Sequence, residues 1–260
     1  MKVPPAYSLL RAGSVRVAIR RDLVADLGPW LLAPHFLLPP GAEALASGRG
    51  AAYRVGLANG LRVVVRVCRR GGLMARFVRE TYFGLRPRPL RELSLTAEAR
   101  RRGVAAAEVL AARVEGRLTY RGAVITSEVP SAITLLEALR RAPDAAARQV
   151  LAASAGRAIA TLHAAGVFHA DLNLTNILVH PGAAGTAIAL LDFDRARLLS
   201  GPLTPAARRR NLRRLARSLA KLDPGRRLAG PEERRAFRDA YAAGGATCGS
   251  SAGREASCAS

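Results

Sequence analysis

The chain has 260 residues and a formal net charge of +22, with 41 Lys and Arg against 19 Asp and Glu. Half of its residues are hydrophobic, which excludes a disordered polyelectrolyte, and the length suffices for one two-lobed domain or two small ones. The charge predicts an anionic partner such as nucleic acid, anionic lipid headgroups or a phosphorylated substrate.

The cysteines and the apolar runs bear on the compartment. Cys68, Cys248 and Cys258 show no spacing typical of a metal site or a disulfide framework, which favours a reducing compartment. The apolar run at 27–38 is interrupted by Gly28 and three other residues, and the N-terminus lacks the apolar stretch of a signal peptide. We therefore expect a soluble or peripheral protein without a membrane span.

The first part of the chain predicts strands. Residues 1–40 are expected to form a loosely structured N-terminal extension, and 42–68 predict strands with tight turns at 47–50 and at Asn59-Gly60. Apolar residues alternate along 61–67, so Arg66 lies on the face opposite the main apolar row. Residues 76–83 have weak helical character.

The second part predicts mainly helices. One runs over 90–102, a short one over 135–140, and a stronger one from Asp144 to Gly166 with Leu151, Ala155, Ile159 and Leu162 on one face. Short strands are expected at 123–128, 177–180 and 187–191, a basic helix at 205–221, and a disordered tail at 244–260. This order predicts an α+β fold with an N-lobe over 41–129 and a C-lobe over 130–243.

Polar residues cluster after the strongest predicted helix. Residues 166–179 hold His169, Asp171, Asn173 and Asn176, and Asp192-Phe193-Asp194 ends an apolar strand 21 residues after Asp171. Each residue alone is typical of a turn cap, but the joint pattern is uncommon. Phosphoryl transfer needs one carboxylate to accept the proton of the attacking hydroxyl, and an amide oxygen with a second carboxylate to hold Mg²⁺.

This pattern resembles the catalytic loop and the metal-binding motif of protein-kinase-like folds. Asn173 stands where protein kinases usually carry Lys, and Asp194 where they carry Gly. With these two residues, Gly48-Arg49-Gly50 and the stretches 69–73 and 211–221, the sequence resembles the lipopolysaccharide kinases. Among them it is most similar to the kinases of 3-deoxy-D-manno-octulosonic acid (Kdo). The resemblance covers about residues 45–222. It implies a small antiparallel β-rich N-lobe and a mainly helical C-lobe.

The resemblance also implies roles for individual residues. Asp171 becomes the general base in a catalytic loop that His169 braces and that contains Asn173, while Asn176 and Asp192 become Mg²⁺ ligands. Gly48 and Gly50 become the turn that approaches the phosphates of ATP, although a plain hairpin turn is the alternative. Arg66 takes the place of the phosphate-binding Lys, or is a solvent-facing edge-strand arginine. Its expected ion-pair partner is Glu92, with Glu98 as the alternative.

The implied reaction transfers phosphoryl from Mg-ATP to a sugar hydroxyl of the lipopolysaccharide inner core, foremost the 4-hydroxyl of Kdo on Kdo-lipid A. The implied place is the cytoplasmic face of a bacterial inner membrane, where an anionic surface attracts the basic chain; no nucleic acid is expected, and the oligomeric state stays open. The alternatives are an inner-core heptose kinase and, in another class, a non-catalytic basic module with a kinase fold.

Overall fold

The computed structural model describes residues 3–34, 36–45, 52–68, 82–83, 87–117, 119–183, 185–225 and 227–247. The chain divides into two compact units. The first comprises Met1–Glu98 and Ala107–Glu128, and the second comprises Ala99–Ala106 and Val129–Ser260.

The described strands of the first unit form an antiparallel sheet. Their bounds are β1 Tyr7–Ala12, β2 Val15–Arg20, β3 Glu43–Leu45, β4 Ala52–Gly56, β5 Arg62–Val67, β6 Tyr82–Phe83, β7 Val109–Gly116 and β8 Thr119–Ser127. Their order is β1-β2-β7-β8-β5-β4-β3, with β6 paired to β8. The predicted Asn59-Gly60 turn joins β4 to β5, and Gly60 has the positive φ of 82° that this hairpin turn requires.

Apolar side chains cover both faces of this sheet. On one face Leu27 and Leu31 of α1 (Val24–Leu32) pack in a buried cluster that includes Val63 and Val65 of β5. A second cluster contains Leu90 and Leu93 of α2 (Arg88–Arg101) and residues of β7 and β8. Within β5 the alternate residues Val63 and Val65 belong to the first cluster, whereas Arg66 pairs with Glu92 of α2, as the period of two in the sequence predicts.

The expectation of a loosely structured segment over 1–40 is wrong. Strands β1 and β2 are paired through a turn at Gly13, and β2 pairs with β7, with Val15 opposite Glu115. Helix α1 contains Pro29, yet it persists because Leu27 and Leu31 are fully buried. The helix expected over 76–83 is also wrong at its end, since Tyr82–Phe83 is a strand, and the rest of that range lies outside the described residues.

The second unit combines helices with two small sheets. The bounds are β9 Ile133–Thr134, α3 Leu135–Arg141, α4 Ala145–Ala164, β10 Val167–Phe168, β11 Ile177–Gly182, β12 Gly185–Leu190, β13 Arg197–Leu198, α5 Pro205–Leu222 and α6 Pro231–Thr247. Strands β12, β11 and β9 form one sheet in that order, and β10 pairs with β13. None of the helices within the described ranges has the length and apolarity needed to cross a bilayer.

Helix α4 is the central helix of this unit, and its predicted apolar face is confirmed by burial of all four residues. The Asp144 side chain caps it by accepting a hydrogen bond of 2.7 Å from the Ala147 N–H. Helix α6 packs so closely on it that a Cβ at Gly156 would lie 2.4 Å from the Phe237 carbonyl oxygen. The disordered tail predicted over 244–260 is wrong at its start, because residues up to Thr247 belong to α6, and the rest of that range lies outside the described residues.

Candidate active site

The polar loop lies between β10 and β11, with Asp171 on its surface. The Asp171 side chain is 54% exposed. Its backbone carbonyl accepts hydrogen bonds from the side-chain amides of Asn173 and Asn176, at 3.1 and 2.9 Å. The loop therefore turns tightly around Asp171 and leaves its carboxylate accessible to an incoming group.

His169 links this loop to the Asp192 segment. The ring is 1% exposed, its Nε2–H donates to the Leu191 carbonyl at 2.8 Å, and its Nδ1 accepts from the Asp171 N–H at 3.3 Å. Burial lowers the pKa of His169 below its usual value, so the ring stays neutral and keeps this tautomer. An edge-to-face contact with Phe193, at 5.0 Å between ring centroids, fixes the ring further.

Asn173 uses its side chain within the loop. Its Oδ1 accepts hydrogen bonds from the Thr175 N–H at 2.9 Å and from the Asn176 N–H at 3.0 Å. Side-chain bonds of this kind to backbone groups two or three residues ahead are typical of turns built around Asn. In the structure Asn173 thus shapes the loop that carries Asp171.

The structure brings Asn176 and Asp192 together. Asn176 precedes β11 and Asp192 follows β12, and these strands pair with Ile177 opposite Leu190. The Leu191 N–H donates to the Asn176 carbonyl at 2.9 Å, which closes the mouth of the hairpin. Asp192 has a φ of 60°, a left-handed conformation that is uncommon for residues other than glycine and that often marks functional sites.

The donor set at this mouth fits Mg²⁺. The amide nitrogen of Asn176 donates to Asp171, to its carbonyl at 2.9 Å and to its carboxylate at 3.4 Å, so the amide oxygen remains for a cation. Together with the Asp192 carboxylate it would offer Mg²⁺ the oxygen ligands that this ion prefers, with phosphates and waters to complete the shell.

A buried residue of α5 anchors the loop. Asn211 is fully buried, its Nδ2 donates to the His169 carbonyl at 2.7 Å, and its Oδ1 accepts from the His169 N–H at 3.1 Å. The same oxygen accepts from His163 Nε2 at 3.3 Å, and His163 Nδ1 accepts from the Tyr241 hydroxyl at 2.8 Å. Burial lowers the pKa of His163 to about 4. No role for Asn211 was predicted from the sequence; the available signal was a polar amide beside leucines at helical spacing.

In the first unit Arg66 and Glu92 form an ion pair between Nη2 and Oε1. The Glu92 side chain is 5% exposed and that of Arg66 is 33% exposed. Strand β5 pairs with β4 and β8, so Arg66 does not lie on an edge strand, and the ion pair involves Glu92, the residue preferred over Glu98. Gly48 and Gly50 lie outside the described residues.

Sequence comparisons identify related proteins. Residues 45–241 match the family model described as "Lipopolysaccharide kinase (Kdo/WaaP) family". Proteins named 3-deoxy-D-manno-octulosonic acid kinase are similar to the chain: that of Xylella fastidiosa (strain M12) is 37% identical over 182 residues, covering 67% of this chain and 68% of the relative. Those of Xanthomonas campestris pv. campestris (strain B100) and Vibrio parahaemolyticus are 38% and 32% identical, covering 67% and 68% of this chain and 68% and 71% of the relatives.

A structural comparison supports the fold. The chain is similar to the structure titled "WaaP in complex with acyl carrier protein", with a TM-score of 0.55 and 18% identity. The match covers 88% of this chain and 89% of that chain. The predicted fold class, an α+β protein-kinase-like fold with a β-rich and a helical part, is confirmed.

Proposed function

Since the chain belongs to the lipopolysaccharide kinase (Kdo/WaaP) family and is a kinase, we propose that it transfers the γ-phosphoryl group of ATP to a hydroxyl of Kdo in the lipopolysaccharide inner core. We further propose that the acceptor is the 4-hydroxyl of Kdo on Kdo-lipid A. The names of the related proteins, 3-deoxy-D-manno-octulosonic acid kinases, support Kdo as the acceptor sugar.

The observation that carries this proposal is the arrangement around Asp171. An exposed carboxylate stands on a loop whose neighbours, Asn176 and Asp192, offer oxygen ligands at the mouth of one hairpin. A purely structural loop needs no carboxylate held accessible beside such a pair. Phosphoryl transfer needs both, since the hydroxyl must be oriented and the phosphate charge must be neutralised.

In the proposed reaction Asp171 accepts the hydroxyl proton as the sugar oxygen forms its bond to the γ-phosphorus. The bond from that phosphorus to the β–γ bridging oxygen breaks, and ADP leaves. His169 and Asn173 take no proton in this scheme. They keep the Asp171 backbone in place. The His169 ring bonds the Leu191 carbonyl, and the Asn173 side-chain amide donates to the Asp171 carbonyl.

We assign Mg²⁺ to Asn176 and Asp192; when bound it neutralises charge on the transferred phosphates. We assign Arg66 to the nucleotide phosphates, because a guanidinium binds phosphate oxygens through paired N–H groups. Glu92 orients Arg66 through their ion pair. The turn role of Gly48 and Gly50 stays a prediction from the family resemblance.

We also propose that the protein acts as a peripheral protein on the cytoplasmic face of the bacterial inner membrane, where Kdo-lipid A is an amphipathic substrate. The net charge of +22 supports this, because anionic headgroups attract a basic surface. In a flotation assay we expect part of the protein to rise with anionic vesicles, and we expect this association to be lost at high salt.

The test is transfer of labelled phosphate from ATP, with Mg²⁺, to Kdo-lipid A, to heptosylated core and to a generic protein. We expect label on Kdo-lipid A, and a fall in turnover of about 10²–10⁴-fold in Asp171→Ala. The matched control is Asp239→Ala, which removes a carboxylate that is 71% exposed on α6. Label only on heptosylated core moves the acceptor to heptose, and no label with retained lipid binding favours the non-catalytic module.

Asp192→Asn tests the metal assignment. Asparagine tolerates the left-handed backbone of Asp192, so the variant removes the charge while preserving the turn. We expect Mg²⁺-dependent transfer to be abolished while the melting temperature stays near that of the unaltered protein. Unchanged turnover would overturn the assignment.

A further inference from the structure

Helix α5 holds the catalytic loop at two points. Asn211 bonds the backbone of His169, and the Ser218 hydroxyl accepts a hydrogen bond of 3.3 Å from the Leu174 N–H. Residues 211 and 218 are two helical turns apart and share a face. This face of α5 therefore runs alongside the loop from His169 to Leu174, with Asp171 between the two anchors.

Arg214 lies between these anchors on α5. It follows Asn211 by three positions and precedes Ser218 by four, the spacing of residues on one face. Its Nη1 is 3.8 Å from Asp171 Oδ1, longer than the 2.7–2.9 Å of a charge-assisted hydrogen bond. The side chains of Arg214 and Asp171 are 38% and 54% exposed. A guanidinium thus stands beside the carboxylate, in reach of solvent, without being locked to it.

Arg210 lies one turn earlier on the same side of α5. Its Cζ is 5.8 Å from the ring centroid of Phe168, the residue before His169. Side chains four apart on a helix are neighbours, and two like charges there repel unless an anion lies between them. The Arg210 guanidinium therefore lies over Phe168 and the Arg214 guanidinium beside Asp171, so both face the catalytic loop from the same side of α5.

We propose that Arg210 and Arg214 bind the carboxylate of the acceptor sugar and so select the hydroxyl that meets Asp171. This inference rests on the proposed function, since Kdo is a sugar acid and heptose is not. The reacting hydroxyl has to lie within hydrogen-bond reach of Asp171, which brings the carboxylate of the same ring within a few ångströms of Arg214. The planar fork of arginine matches a carboxylate, and the phosphates of lipid A belong to other sugar units.

The test compares two double variants that each remove two positive charges from α5. Arg210→Gln with Arg214→Gln removes the proposed site, while Arg209→Gln with Arg213→Gln changes exposed residues of the same helix. With Kdo-lipid A in nonionic micelles we expect the first variant to raise the acceptor KM about 10- to 100-fold. The KM for ATP should not change, and the control should keep both values. Equal effects of the two variants would overturn the proposal in favour of general charge attraction.

A second arm identifies the bound group. Methyl esterification of the Kdo carboxylate should raise the acceptor KM of the unaltered protein by a similar factor. It should not raise the acceptor KM of the Arg210→Gln, Arg214→Gln variant further, because one interaction cannot be lost twice. The proposal would be overturned if the ester raised the KM of the double variant as much as that of the unaltered protein. It would also be overturned if KM rose with dephosphorylated lipid A and not with the ester. Arg214→Lys keeps the positive charge but not the planar fork, so its acceptor KM should lie between those of the unaltered protein and the double variant. If the unaltered protein transfers nothing to Kdo-lipid A, the proposed function itself fails.

Discussion

Asn211→Leu perturbs the buried link between α5 and the catalytic loop. The substitution keeps roughly the volume of the side chain but removes its amide. It deletes three hydrogen bonds: two to the backbone of His169 and one to the ring of His163. The three partner groups belong to two buried residues, His169 and His163, so water does not readily replace the amide.

The size of the effect follows from these bonds. Each buried group left without its partner costs roughly 1–3 kcal/mol, so the three together cost roughly 3–9 kcal/mol. Because leucine returns some apolar burial, we expect a fall of about 4 kcal/mol in the free energy of unfolding. Transfer activity should fall as well, because His169 no longer holds the backbone beside Asp171.

Urea denaturation followed by far-UV circular dichroism measures this loss, since the long helices α4, α5 and α6 belong to the second unit. The matched control is Gln149→Leu, which exchanges an exposed amide of α4 that bonds Glu232 at 2.9 Å. We expect that control to change stability by less than about 1 kcal/mol. A loss in Asn211→Leu no larger than in the control would refute the reasoning.

Two further predictions concern titration and the buried ion pair. Burial lowers the pKa of His163 to about 4 from 6.5, so the unfolded chain binds more protons in this range and stability is lost as pH falls through it. In urea melts over a series of pH values, His163→Gln should remove about 3 kcal/mol of that pH dependence and leave the contribution of His169; a variant that kept the full pH dependence would contradict the assignment. Arg66→Gln should destabilise more than Glu92→Gln, by about 2 kcal/mol in urea melts, because the Glu92 carboxylate is the more buried of the two charges and loses its bond to Arg66; the reverse order would contradict the assigned burial.

Local signals in the sequence predict much of the fold. The Asn59-Gly60 hairpin, the Asp144 cap and the apolar face of α4 each depend on residues a few positions apart, so short-range geometry determines them. The β1–β2 hairpin escaped prediction because it joins the sheet only through the pairing of β2 with β7, about a hundred residues later. Helix α6 escaped it because its Ala- and Gly-rich sequence has a weak apolar face, and close packing on α4 supports it.

In the candidate site, too, some features follow from local sequence and others only from tertiary packing. The spacing of Asp171, Asn176 and Asp192 was sufficient to predict the type of chemistry, because a loop, a hairpin and a second loop follow each other directly in the chain. The sequence alone also suggested the Arg66–Glu92 pair, through the resemblance to a known family. Only the tertiary structure placed Asn211 under His169 and Arg214 beside Asp171, since these pairs lie more than forty positions apart and meet through the packing of α5 against the loop.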